Sequence, residues 1–347
     1  MTDHQLSTLD AKLKEYCTNE KISGVLRVTV KDEILYQADF GYANDQSKTE
    51  FTANSMFTFY SMSKPFCAIG LLKLKEKGLV DLDVHPKTYL PEANGFHDKV
   101  TVRHLLHHVS GLPDFEQNVE FSSRYKPGTK DRVREHLKLL AEYPSYFEPN
   151  TDAKYANINF IIPALMIENV TGVDYADYMK KEVFQPLGMK HAVVDNEKRF
   201  IENRVQGYAI ENGVRVPIEK SHNWLFGAGD MVGTVDDAYC LNTAYKNKPI
   251  LSNESWKEII TPSPLSRMGL GNTISIWHGK KRITHNGGHL GFRTLHVQLP
   301  EDDFDMILLS NSGYGNARRD IAEMVYQAFY NENGAEGEGI EMDKGYL

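Results

Sequence analysis

Phe57–Leu79, FTFYSMSKPFCAIGLLKLKEKGL, is the stretch that decides how this chain is read. Ser61 and Lys64 stand one helical turn apart, just ahead of a helical pattern that runs from Pro65 to Lys77 and stops at Gly78, a residue suited to the left-handed conformation after a helix end. On an amphipathic helix that spacing puts Ser61 and Lys64 on one face, beside N-terminal N–H groups aimed at developing negative charge. A serine hydroxyl attacks only when a base takes its proton, and a lysine can be that base only if burial or positive neighbours lower its pKa. The same two residues also suit a helix cap followed by a solvated lysine. The tetrad by itself does not choose, because SRYK at Ser123–Lys126 matches it equally well within FSSRYKPGTK, a segment that reads as a turn.

Two further pieces bear on the choice. Tyr155-Ala156-Asn157 stands at a loop-to-helix entry, offering a phenol to carry a proton and an amide to hold a lysine or a substrate amide; a core tyrosine and a capping asparagine fit it too. His285-Asn286-Gly287-Gly288 closes a strand, and its paired glycines suggest close backbone approach to a ligand, with a bulge or hairpin turn as the alternative.

Outward from these pieces the pattern alternates. Ser7, with Asp10 three residues on, caps an opening amphipathic helix carrying Leu9, Leu13, Tyr16 and Cys17. Leu26, Val28 and Val30 then alternate with polar residues, and with Ile34–Tyr42 they predict a β-hairpin. Helical runs (102–108, 132–143, 158–170 and 175–183) fill the middle of the chain. Strands return at 274–277, 282–285, 292–299 and 306–310, followed by a helix with Ile321, Met324, Val325, Ala328 and Phe329 on one stripe. The expected architecture is α+β: a sheet lobe with an antiparallel sheet and flanking helices, built from residues 1–79 and 226–347, an all-helical lobe inserted at 80–225, and a cleft between them. The Gly- and Glu-rich tail from Asn331 reads as a mobile end.

Composition narrows the function. The 347 residues are long enough for two lobes, and 41% hydrophobic with 25% charged residues is an ordinary globular balance. A net charge of −8 and no basic stripe give no reason to expect nucleic acid. Cys17, Cys67 and Cys240 have no CxxC spacing, no stretch has signal-peptide character, and no run approaches the ~18 apolar residues of a membrane helix; a cytoplasmic protein with no membrane partner is expected. His104, His107 and His108 share a helix face in the manner of metal ligands, but there is no HExxH, and neither GxSxG, P-loop nor GxGxxG occurs; no metal or cofactor is expected.

In this order the three pieces resemble the serine β-lactamase and penicillin-binding-protein superfamily, nearest to class C β-lactamases and their esterase and D-peptidase relatives. VTVRHLLHHVSGLPDF, YANINFIIPALMIENVTG, GAGDMVGTVDDAYCL and HNGGHLGF look like segments of that family, and the resemblance spans most of residues 20–330. It implies a β-lactamase/transpeptidase-like fold, Ser61 as the acylated nucleophile, Lys64 as its proton acceptor or as the group that tunes Tyr155, and Tyr155 as proton carrier to the leaving group. Whether Lys64 or Tyr155 is the base stays open. Asn157 would hold Lys64 and the substrate amide, His285 and Gly287 would line the substrate strand, and the N–H groups of Ser61 and Gly288 would form the oxyanion hole.

One position departs from the pattern of many β-lactamases: His285 stands where they have the lysine of Lys-Thr-Gly. Near its ordinary pKa of ~6.5 an imidazole anchors a carboxylate less well than a lysine. That form is familiar in the family's esterases and D-amino-acid peptidases, and His289 and Arg293 are further candidates for holding an acid group. The expected partner is a small ester, amide, D-peptide or β-lactam. The alternative is a non-catalytic sensor that binds penicillins or D-peptides on the same fold. Acyl preference is expected to depend on cleft walls at 112–130 and 210–225.

Overall fold

The structure, a computed structural model, describes residues 2–114, 130–196, 200–218 and 225–330. Ser123–Lys126 and the tail from Asn331 lie outside the described residues, as do 115–129 and 219–224 of the expected cleft walls.

Helix α1 (Asp3–Asn19) leads into β1 (Gly24–Val30) and β2 (Glu33–Phe40). The cap of α1 is Thr2, reciprocally bonded with Gln5, rather than Ser7, whose hydroxyl donates back to His4 O inside the helix. The β1–β2 hairpin forms where expected, turning at Lys31 and Asp32, both with positive φ. The short β3 (Phe57–Thr58) precedes a 3-10 turn, Tyr60–Ser63, and α2 (Lys64–Glu76). α2 ends as its sequence predicts, with Gly78 at φ +69 and Leu79 N donating to Leu74 O. It is not amphipathic, however. Every residue from Lys64 to Leu72 is buried, so this is a central helix enclosed on all sides, with Lys73, Lys75 and Glu76 alone reaching outwards.

The next elements are α3 (Val102–Leu106), α4 (Lys130–Leu140), α5 (Ile158–Thr171) and α6 (Tyr175–Met179), the last widening into a π turn over Lys180–Phe184. β4 (Val193–Val194) and the hairpin of β5 (Tyr208–Glu211) and β6 (Val214–Pro217) add short strands to this segment. β7 (Met231–Gly233) joins β3 and β4 in a small sheet. After α7 (Val235–Asn247) and α8 (Asn253–Ile259) come β8 (Thr273–Trp277), β9 (Lys280–His289), β10 (Phe292–Leu299), β11 (Phe304–Ser310) and α9 (Ala317–Tyr330).

One antiparallel sheet, in the order β2-β1-β11-β10-β9-β8, therefore joins the two ends of the chain. Its alternation sorts the side chains. Leu26, Val28, Leu295, Val297, Leu299, Met306 and Leu308 meet α1 and α9 on one face. The other face, with Val25, Ile283, Ile307 and Leu309, shares a core with α2, α5 and α7. That second core holds α2 against the sheet, which brings the Ser61 turn beside β9.

Candidate active site

Three distant segments converge where α2 begins. The Tyr60–Ser63 turn is gripped from both sides: Thr294 Oγ1 on β10 donates to Phe59 O (2.8 Å), Phe59 N donates to Met231 O (2.8 Å), and Met231 N donates to Ser63 Oγ (3.1 Å). Tyr60 sits at φ +48, a conformation costing a non-glycine residue about 1–3 kcal/mol. Its buried ring, packed against His289 and Phe292 at 5.4 and 5.9 Å, offsets that strain. The corner leaves Ser61 half-buried. Ser61 is not the helix cap: the cap position of α2 is Ser63, whose side chain makes no capping bond, and Pro65 removes one of the N–H groups a cap would serve.

Lys64 is fully buried, and its Nζ lies 2.9 Å from Ser61 Oγ, 2.9 Å from Asn157 Oδ1 and 2.8 Å from Ala228 O. Two of these partners are carbonyl oxygens, which only accept. Ser61, by contrast, carries a hydroxyl that can both accept from the amine and give up a proton. The Ala228 carbonyl is presented by a tight turn in which Gly227 N donates to Asp230 Oδ2 (2.9 Å), and burial pushes the Asp230 carboxyl up to about 7.

The second segment enters α5. Tyr155 stacks on His108 with ring centroids 4.4 Å apart, has Lys64 Nζ 4.8 Å from its centroid, and meets the His285 ring edge-on at 6.2 Å. Asn157 occupies the cap position of α5 but spends its side-chain oxygen on Lys64. The capping passes to Asp114, a buried carboxylate accepting from Asn157 N (2.7 Å) and Ile158 N (3.2 Å). No local motif in the sequence marks Asp114. Its one signal there is a place in VTVRHLLHHVSGLPDF, since a cap supplied from 43 residues away leaves no local pattern.

The third segment is β9. β8 pairs with it from Lys280 to Thr284 alone, whereas His285 to His289 continue only along β10, so this length keeps an uncovered edge among the described strands. A Cβ on Gly287 would stand 2.0 Å from Phe59 O and 2.4 Å from Thr294 Oγ1. The close approach inferred from the paired glycines is thus, at Gly287, to the protein's own Phe59 carbonyl at the start of the Ser61 turn. Gly288 is exposed, with room short only of Arg318 Nη1 at 3.0 Å.

His285 is buried, and its Nδ1–H donates to Asn286 O (2.7 Å), which fixes Nε2 as the acceptor nitrogen. Burial, then nearby Lys64, drives its pKa well below 6.5. The ring is therefore neutral at pH 7, and it carries less charge for a carboxylate than even an unperturbed imidazole would. Cations stand just beyond it. Arg318 on α9 donates to Gly287 O (2.5 Å) and Arg293 to Phe292 O (2.7 Å), so the bonds of both guanidinium groups go to backbone carbonyls beside Gly288. Burial and the neighbouring Arg293 lower Arg318 to about 10. His289 is turned onto Tyr60 instead. The three histidines near α3 diverge: His104 bonds Thr101, His107 bonds Met268 O and His108 faces Tyr155, and no metal-type cluster occurs among the described residues.

Enclosed lysine, half-buried serine and open-edged strand belong to the β-lactamase/transpeptidase-like fold, and solved structures share it. A penicillin-binding protein homologue from Pyrococcus abyssi superposes with a TM-score of 0.81 at 23% identity, covering 96% of this chain and 78% of that one. The D-amino acid amidase from Ochrobactrum anthropi, complexed with L-phenylalanine amide, gives 0.77 at 26% identity over 94% of this chain and 99% of that one. In sequence, a penicillin-binding protein of Bacillus subtilis (strain 168) is 30% identical over 332 residues, 88% of this chain and 71% of its own. The Beta-lactamase family model matches residues 9–329, and the chain belongs to that family. It is a serine hydrolase.

Proposed function

We propose that Ser61 is the nucleophile and that the enzyme works through an acyl-serine on small esters, amides or β-lactams. One observation carries the reading: a fully buried Lys64 amine lies 2.9 Å from Ser61 Oγ and is held there by the carbonyl oxygens of Asn157 and Ala228. Ser61 Oγ attacks the substrate carbonyl carbon as its proton passes to Lys64, directly or through Tyr155. The carbonyl oxygen becomes an oxyanion held by the N–H groups of Ser61 and Gly288, the second on the uncovered edge of β9. Tyr155 delivers the proton to the leaving group, the carbon–heteroatom bond breaks, and water repeats the sequence on the acyl-serine. Asn157 fixes Lys64 and offers its amide to the substrate, while His285 and Gly287 line the strand.

The site then draws on both proposed lobes, with Ser61, Lys64 and Gly288 from 1–79 and 226–347 and Tyr155 and Asn157 from 80–225. Arg293 and Arg318 take over the carboxylate anchoring that a neutral His285 does not supply, which favours substrates with an acid group near the scissile bond, such as peptides with a free C-terminus, over neutral ones. Equal kcat/KM for a D-peptide and its C-terminal amide would contradict that preference. No helix among the described residues is long and apolar enough to cross a membrane, and three free thiols support a reducing compartment, the cytosol; recovery of the native protein outside the cytosolic fraction would overturn this. The nucleophile is tested by hydrolysis of a short-chain p-nitrophenyl ester. Wild type should turn it over and Ser61→Ala should not; full activity in the variant would sink the reading.

A further inference from the structure

His108 belongs to the histidine run with metal-ligand spacing, and its hydrogen bonds go to neither Ser61 nor Lys64. What it touches is the segment around Tyr155, from three sides. Its carbonyl accepts from Lys154 N (3.0 Å), its Nδ1 accepts from Ala156 N (3.2 Å), and its ring lies under the Tyr155 ring at 4.4 Å and 23°. The residues before and after Tyr155 are thus pinned to the residue on which the phenol rests.

The ring's own state is fixed as well. Asn159 Nδ2 also bonds Nδ1 (3.1 Å), and Ser110 Oγ donates to Asn159 Oδ1 (2.7 Å), so Nδ1 is the acceptor and Nε2 carries the hydrogen. Burial, followed by Lys64, His285 and His107, holds the pKa well below 6.5, and the face under the phenol is uncharged. His108 keeps φ +58, a strained conformation that histidine and asparagine tolerate better than most residues. Thr151 and Asp152, by contrast, are exposed.

From this arrangement we propose that His108 is a positioning residue for the proton transfer carried by Tyr155, acting as the fixed seat of the phenol ring. The inference rests on the role given to Tyr155 above. If it holds, removing the seat slows only those steps that need the phenol, and nothing is lost once the phenol's hydroxyl is already gone.

His108→Asn removes the ring but keeps an acceptor for Ala156 N and suits the backbone angle. It is compared with wild type in both the Tyr155 and the Tyr155→Phe backgrounds, using an anilide substrate. H108N should lower kcat about tenfold or more with KM nearly unchanged, and should cost nothing further in the Tyr155→Phe protein. An equal fold-loss in both backgrounds, or a loss carried by KM, overturns the proposal. Failure of the underlying reading shows separately, as full anilide activity in Tyr155→Phe alone, and takes the proposal with it. Should H108N not fold, His108→Phe keeps a stacking ring: kcat within about threefold of wild type supports the seat, and a loss as deep as that of Tyr155→Phe overturns it.

Discussion

Lys64 and Ser61 meet at 2.9 Å across one turn, and two carbonyl oxygens that also hold the amine, Asn157 Oδ1 and Ala228 O, can only accept. The alignment works as long as neither neighbour adds a negative charge. Asn157→Asp is nearly isosteric and places a carboxylate at the same contact, which favours the ammonium and withholds the lone pair from Ser61. The expected result is a kcat/KM at pH 7 reduced about tenfold or more, with the rising limb of the pH–rate profile displaced upwards by about one unit or more. A profile superimposable on wild type would remove Lys64 from the proton transfer.

The role proposed for Tyr155 is to serve the leaving group, and leaving groups differ in their need. An anilide or peptide amine cannot depart without a proton, whereas p-nitrophenolate is stable at neutral pH. Tyr155→Phe should therefore cut kcat on an amide by about 10²–10⁴ but much less on the p-nitrophenyl ester. Equal losses on the two substrates would point to Tyr155 as the base that activates Ser61, because that step is common to both.

Gly287 and Gly288 are adjacent in sequence and opposite in tolerance. A methyl on Gly287 collides with Phe59 O at 2.0 Å, a backbone atom tied to Thr294 Oγ1 and followed by the strained Tyr60. Gly287→Ala should therefore displace the Ser61 turn, costing about 1–3 kcal/mol of stability and, if Ser61 acts as proposed, most of the activity. Gly288→Ala meets only the end of the Arg318 side chain and should fold with a melting temperature close to wild type. Thermal melts of the two variants side by side check both halves.

These glycines show how far the sequence could be read. Strand β9, hairpin β1–β2 and the helix end at Gly78 follow from local periodicity and turn residues, signals carried within a few residues, while the trio Ser61, Lys64 and Asn157, which the structure brings into contact, was pointed to by the ordered motifs that carry the family resemblance. What a local pattern does not carry is a contact made across the chain. The burial of α2 on all sides, the cap lent to α5 by Asp114, the ring contact under Tyr155 and the Arg318 guanidinium at Gly287 O each depend on a partner distant in sequence. Gly287 was legible as a close approach, but what approaches it was not.

A last consequence lies away from the site, where β11 carries Asp305 opposite Thr29 and Gln298. The carboxyl is buried, and burial raises it to about 7, with Gln298 and Asn242 offsetting only part of the cost. A carboxylate whose folded pKa exceeds its unfolded value of 3.8 binds its proton more tightly in the native state. Its favourable contribution is complete below pH 3.8, declines as pH rises towards 7, and is gone above that. The amide of the variant Asp305→Asn does not titrate, so the gain over wild type should be small at pH 4.5 and larger at pH 8 by about 1–3 kcal/mol. The buried histidines titrate with the opposite sign, losing stability as pH falls below about 6.5, but they are common to both proteins and cancel in the comparison. Denaturant melts of D305N and wild type at the two pH values decide it: a difference that does not change with pH would mean that Asp305 keeps its ordinary carboxylate pKa in the folded protein.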